Sequence, residues 1–81
     1  MNFADKLRNI FRECVLSVDH AQNIVVLKTM PGLANAAASA LDSTDNREIV
    51  GSLAGDDTVF LVMRDTESAF DLCAQMKEQL Q

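Results

Sequence analysis

Apolar and polar positions along the 81-residue chain follow two periods, one near 3.6 and one of 2, and the switches between them mark its elements. Residues 3–10 carry apolar side chains at Phe3, Leu7 and Ile10, a spacing that suits a short helix or the end of a linker. From Phe11 to Val18 the pattern alternates, and the set Arg12, Cys14, Leu16, Val18 is the more apolar, which predicts a half-buried strand. Asp19-His20-Ala21-Gln22-Asn23 is polar and turn-like, and Ile24-Val25-Val26-Leu27 runs on through Lys28-Thr29 as a β-branched strand. Together these segments predict a hairpin. Pro31-Gly32 interrupts the strand, and Leu33–Leu41 is alanine-rich with no β-branched residue, which favours a helix.

Asp42-Ser43-Thr44-Asp45-Asn46 is a run of turn formers. Ile49–Ala54 and Thr58–Met63 predict two more strands, joined tightly around Gly55-Asp56-Asp57. In the last segment Ala69, Leu72, Cys73, Met76 and Leu80 fall at i, i+3, i+4, i+7 and i+11, the one-sided stripe of an amphipathic helix. Asp65 or Thr66 is its expected N-cap, with Glu67 in the first turn.

The predicted order is ββαββα over one domain, residues 1–81. It implies an α+β fold of two layers: a four-stranded, mainly antiparallel sheet with two helices on one face. That packing leaves a surplus. Ile24–Leu27 and Val59–Met63 are apolar on both alternating faces, while two helices cover only one. Another copy of the chain, or a domain outside these residues, would supply the missing cover. A chain of this length buries only roughly 60–65% of its unfolded surface, so the small core favours self-association.

Composition narrows the function. Hydrophobic residues make up 48% of the chain and charged residues 23%, as in a folded globular domain. Seven basic side chains face twelve acidic ones, for a net charge of −5. The basic residues are scattered from Lys6 to Lys77, which argues against nucleic acid as this segment's own ligand. No apolar run approaches the ~20 residues of a membrane span. The first residues lack the pattern of a secretory signal, and a cytoplasmic location is expected. Cys14 and Cys73, expected on a strand and a helix, form no C-x-x-C pair and stand apart from the sole histidine, so no metal site is expected. Spacing leaves a disulfide open, but the missing secretory pattern favours two reduced thiols.

Nothing in the chain has the pattern of a catalyst. His20 stands in a polar turn beside Asp19, where a solvated imidazole is the ordinary reading, and no nucleophile is paired with it. Gly32, Gly51 and Gly55 match neither a P-loop nor a dinucleotide fingerprint. A binding module is expected rather than an enzyme, and two features carry that expectation. The first is Ala54-Gly55-Asp56-Asp57-Thr58: two adjacent carboxylates repel modestly in water and more where solvent screening falls, a cost that a cation offsets. A guanidinium suits them because its planar fork donates two parallel hydrogen bonds to a carboxylate. A solvated hairpin rich in turn formers explains the same residues. The second is the polar stripe Asn35, Ser39, Asp42 at i, i+4 and i+7 on the alanine-rich helix. It is either a wet surface or, with an amide and a carboxylate two turns apart, a hold for the ends of an amino acid, whose anionic end the helix N-terminus favours.

These residues carry a resemblance. Ser17-Val18-Asp19-His20-Ala21-Gln22-Asn23-Ile24-Val25-Val26-Leu27-Lys28-Thr29-Met30-Pro31-Gly32 resembles the first hairpin of the C-terminal domain of bacterial arginine repressors. Ile49-Val50-Gly51-Ser52-Leu53-Ala54-Gly55-Asp56-Asp57-Thr58-Val59 is similar to that family's G-T-I-A-G-D-D-T-I segment. The likeness runs from about Leu7 to Leu80, and the two motifs together, at this separation and in this order of elements, make it specific.

The resemblance implies an L-arginine-sensing oligomerisation domain of a transcriptional regulator of arginine metabolism, forming trimers that pair into hexamers with L-arginine where the trimers meet. It also implies that operator DNA is bound by an N-terminal winged-helix domain outside these 81 residues. Carried over by position, Asp56 and Asp57 meet the guanidinium, at least one of them from a facing subunit. Asp42 and Asn35 hold the α-amino and α-carboxylate groups, and Ala34, Ser52 and Ala54 line the pocket. Two residues depart from the family pattern. Asn35 stands where some members have Gln, and Ser52 where Thr is common. Neither change removes a charge, so arginine binding is expected to survive with altered affinity. The alternative is a purely structural oligomerisation module without a ligand response.

Overall fold

The computed structural model describes residues 3–42 and 46–80. Its elements are α1 (Phe3–Cys14), β1 (Val15–Ala21), β2 (Ile24–Thr29), α2 (Ala34–Asp42), β3 (Ile49–Ala54), β4 (Thr58–Met63) and α3 (Thr66–Gln79). The four strands form one antiparallel sheet in the order β1-β2-β4-β3. This is the expected α+β architecture, with β3, β4 and the last helix where their patterns place them. The turn formers at 43–45 lie outside the described residues.

The first strand differs from expectation. Residues 11–14 belong to α1, and β1 begins only at Val15. Cys14 therefore ends a helix instead of lying on a strand. Ile10, Phe11 and Cys14 also fit a helical period, and it prevails because it sinks Phe11 and Cys14 into the core. A register shift between Val15 and Ser17 then lets Val15 and Val18 both face inward and turns Leu16 out, 65% exposed. The chain so has a third helix, packed on α2 and tied to α3 where Arg12 Nε donates to the Gln79 carbonyl at 2.8 Å. A guanidinium there complements the partial negative charge of a helix C-terminus.

The hairpin is also tighter than the polar run 19–23 suggests. Strand pairing continues to Ala21–Ile24, leaving a two-residue turn in which Gln22 takes a φ of 52°. His20 is thus a strand residue rather than a solvated turn residue. It is half-buried, packs edge-on against Phe70 of α3 with ring centroids 5.6 Å apart, and its buried Nδ1 has no hydrogen-bond partner among the described residues.

One sheet face is covered. Val25, Leu27, Val59 and Leu61 are fully buried beneath Ala34 and Ala37 of α2 and Ala69, Cys73 and Met76 of α3. Alanines let α2 lie close to the sheet, and the stripe on α3 supplies the bulk. Cys14 and Cys73 are free thiols within this core. Burial raises the Cys73 pKa, partly offset by Lys77 and reinforced by Asp19. The other face carries Val26, Phe60 and Leu53 side by side across β2, β4 and β3, with Phe60 47% and Leu53 74% exposed.

Asp65 caps α3. Its Oδ1 accepts from the Ser68 N–H at 2.7 Å, while Ser68 Oγ approaches the Asp65 N–H at 3.3 Å, closing a capping box. Hydrogen bonding from Ser68, its backbone N–H first and its side chain second, holds the Asp65 carboxyl below its ordinary pKa of 3.8. A depressed carboxylate pKa adds stability above the unfolded value, lost as pH falls through the folded one. Asp65→Ala is therefore expected to melt below wild type at neutral pH, with the gap narrowing in acid beneath the ordinary carboxyl pKa. A gap of constant size across that range would show that the ionised carboxylate contributes nothing as a cap.

Candidate functional site

The acidic turn between β3 and β4 is fixed by its backbone. Gly55 N–H donates to the Thr58 carbonyl at 2.8 Å, closing the hairpin. The Asp57 carbonyl accepts from Thr29 N–H at the end of β2 at 2.8 Å, and the Asp56 carbonyl from Ala34 N–H at the start of α2 at 3.2 Å. The last bond depends on the preceding turn. Leu33 N–H donates to the Met30 carbonyl at 3.1 Å, with Pro31 supplying its fixed φ and Gly32 a φ of 81°, as a type II turn requires. The Pro-Gly motif thus delivers the first turn of α2 to the Gly-Asp-Asp-Thr motif, although they lie about 25 residues apart in sequence.

With the backbone held inside, the carboxylates of Asp56 and Asp57 are left exposed. Beside them lies an apolar hollow of about 320 Å³ lined by Leu53, Ala54, Gly55, Thr58 and Phe60. Ala54 is half-buried at its edge, and Ala34, the first residue of α2, is wholly buried.

The other expected residues line α2 and the strand beneath it. Asn35, Ser39 and Asp42 are all exposed, so the predicted polar stripe is a real face of the helix. At its far end Asp42 Oδ1 accepts from Ser52 Oγ on β3 at 3.1 Å. Helix rise places Asp42 ~12 Å along the axis from Ala34. Within one chain, Ser52 and Asp42 are brought together at one end of α2, and Asp56 and Asp57 stand at the other.

Two side chains outside the expected set enter here. Lys28 of β2 pairs with Thr58 of β4 across the sheet, and its Nζ donates to Thr58 Oγ1 at 2.9 Å. Thr58 Oγ1 in turn donates to Asp57 Oδ1 at 3.0 Å. Thr58 sits within the Gly-Asp-Asp-Thr motif, but only the neighbouring of β2 and β4 brings Lys28 to it. Among the described residues there is no cluster of three or more His, Cys, Asp or Glu suited to a metal ion, and no helix long and apolar enough to cross a membrane.

Residues 11–78 match the family model described as the arginine repressor, C-terminal domain. The chain is 47% identical over 76 residues to the arginine repressor of Clostridium tetani, covering 94% of this chain and 50% of that protein. It is 46% identical over 77 residues to that of Clostridium acetobutylicum, covering 95% and 51%. The arginine repressor of Acetivibrio thermocellus is 47% identical over 74 residues, covering 91% and 48%. The chain spans about half the length of these relatives. It belongs to the family of arginine repressor C-terminal domains.

Proposed function

We propose that this domain senses L-arginine for a cytoplasmic transcriptional regulator of arginine metabolism, using the amino acid as a co-repressor that bridges two trimers into a hexamer. The observation that carries this reading is the acidic turn. Its main chain is anchored at Gly55, Asp56 and Asp57 while both acidic residues are exposed, a pair of anions on a fixed backbone without covering structure of their own. A guanidinium supplies the complementary charge and two parallel donors. Asn35 and Asp42 then hold the α-carboxylate and α-amino groups, with Ser52 and Ala54 lining the pocket and the buried Ala34 behind it.

The placement of these groups favours a site shared between chains. Asp42 and the acidic turn stand at opposite ends of α2, so a small amino acid held by Asp42 of one copy meets Asp56 or Asp57 most simply from another. The row of half-buried Val26 and exposed Phe60 and Leu53 gives copies of the chain an apolar surface to share. Operator DNA is bound through a winged-helix domain beyond these residues, and assembly state is the signal passed to it. The relatives' printed name, arginine repressor, supports the same reading.

Arginine bound only by the folded assembly stabilises that assembly by mass action. Sedimentation with millimolar L-arginine is expected to shift the population toward the hexamer and to raise the melting temperature. Citrulline, which lacks the cationic guanidinium, is expected to act far more weakly. Asp56→Asn is expected to remove most of the response while leaving the fold intact, since that side chain is exposed and only its backbone carbonyl is bonded. Assembly and melting temperature both indifferent to arginine would leave a structural oligomerisation module with no ligand response.

A further inference from the structure

The acidic turn has its main chain held at three points, so the remaining freedom at its two anions is the rotation of their side chains. The two are not treated alike. Among the described residues the Asp56 carboxylate has no hydrogen-bond partner, whereas Asp57 Oδ1 accepts from Thr58 Oγ1 at 3.0 Å. That hydroxyl is itself the acceptor for Lys28 Nζ at 2.9 Å. An ammonium only donates, so its hydrogen bond occupies a lone pair of the hydroxyl and leaves the hydroxyl proton for the carboxylate. The direction of the chain Lys28 → Thr58 → Asp57 is therefore set at the lysine end, and the ammonium polarises the bond made to Asp57.

From this geometry we infer that Thr58 and Lys28 are positioning residues for the cation site: they lock Asp57 with Oδ1 occupied and Oδ2 presented outward, leaving Asp56 as the movable partner. The inference rests on the reading of the turn as a guanidinium site. Holding one anion in place before the ligand arrives removes part of the ordering cost of binding. A cationic ligand then meets one fixed oxygen on Asp57 and a carboxylate on Asp56 that adjusts to it. Lys28 acts here through Thr58, from the neighbouring strand and across the register pair Lys28–Thr58.

The test is calorimetric titration of L-arginine into the assembled protein, with sedimentation and melting temperature recorded for each variant. Thr58→Val keeps the shape and strand preference of the residue but removes the hydroxyl. It is expected to weaken binding about fivefold, the usual scale for one lost hydrogen bond. Thr58→Ser restores the hydroxyl and is expected to stay within about twofold of wild type. In an Asp57→Asn background Thr58→Val is expected to cost little further, because the bond it removes no longer reaches a carboxylate. Lys28→Met should weaken binding in the same direction, and Lys28→Arg should recover it.

An equal loss from Thr58→Val in both backgrounds, or no loss at all, overturns the inference. Tighter binding by Lys28→Met also overturns it, since Lys28 would then act only as a charge that repels the ligand. A second readout needs no arginine. Three-bond couplings are expected to show a single χ1 rotamer for Asp57 in the wild type and averaging in Thr58→Val. A fixed rotamer in a wild type that binds no arginine would sink the ligand reading and keep the relay. Averaging in the wild type would sink the relay whatever the ligand.

Discussion

Leu61→Ala is expected to lower the melting temperature by roughly 10 °C or more, the largest loss of stability from any single side chain considered. Leu61 is fully buried on β4, one of the two central strands, and stands opposite Val25 of β2 and Ser52 of β3. Truncating a leucine in such a place loses its transfer energy and leaves a cavity, together about 2–5 kcal/mol. A domain of 81 residues has a total stability of roughly 4–12 kcal/mol at typical values per residue, so the loss takes a large share of it. In domains of this size each 1 kcal/mol moves the midpoint by roughly 4–8 °C. Thermal unfolding followed by circular dichroism, at one protein concentration so that the proposed assembly contributes equally, measures it. A shift below about 3 °C would mean that the site collapses around the smaller side chain or that assembly dominates the midpoint.

Phe60→Asp is expected to have the opposite profile: a folded chain that no longer assembles. Phe60 lies between Val26 and Leu53 on the open sheet face, flanked on the same β4 face by the 40% exposed Val62. A carboxylate here meets water in the isolated chain at little cost. In an interface between copies it is desolvated without a partner, which is costly. Sedimentation should therefore show a smaller species, with far-ultraviolet circular dichroism unchanged. The same assembly as wild type would place the contact between copies on another surface. If arginine bridges trimers as proposed above, the variant should also lose the arginine-dependent shift in mass.

The elements differ in how legible they are. The strands Ile49–Ala54 and Thr58–Met63 and the helix Thr66–Gln79 can be read from the chain because each has one period and its own stop signals: Gly55-Asp56-Asp57 between the strands and the Asp65 cap before the helix. Residues 11–14 satisfy both periods. There the choice between helix and strand depends on where Phe11 and Cys14 find apolar neighbours, which no local signal contains. His20 is misread for a similar reason. Its polar neighbours suggest a turn, while its ring packs against Phe70, fifty residues away in sequence.

The acidity that first excludes nucleic acid has a place in this structure. Residues 33–81 carry nine acidic and three basic side chains, and residues 1–32 carry three and four, so the negative charge belongs to the second part of the chain. Asp42, Asp56 and Asp57, a third of those nine acids, are the ones proposed to face a cationic amino acid.

By itself, the sequence determined the α+β class, the period of most elements, and the chemistry of the candidate site: adjacent carboxylates in a tight turn, and an amide and a carboxylate on one helix face. These follow from local rules of backbone preference and side-chain spacing. Only the tertiary structure decided that the Pro-Gly turn docks the start of α2 on the acidic turn through Ala34 and Asp56. It alone put Asp42 beside Ser52, joined Lys28 to Asp57 through Thr58, and divided the covered sheet face from the open one. Those relations depend on strand order and register, set by how the whole set of apolar faces is buried at once.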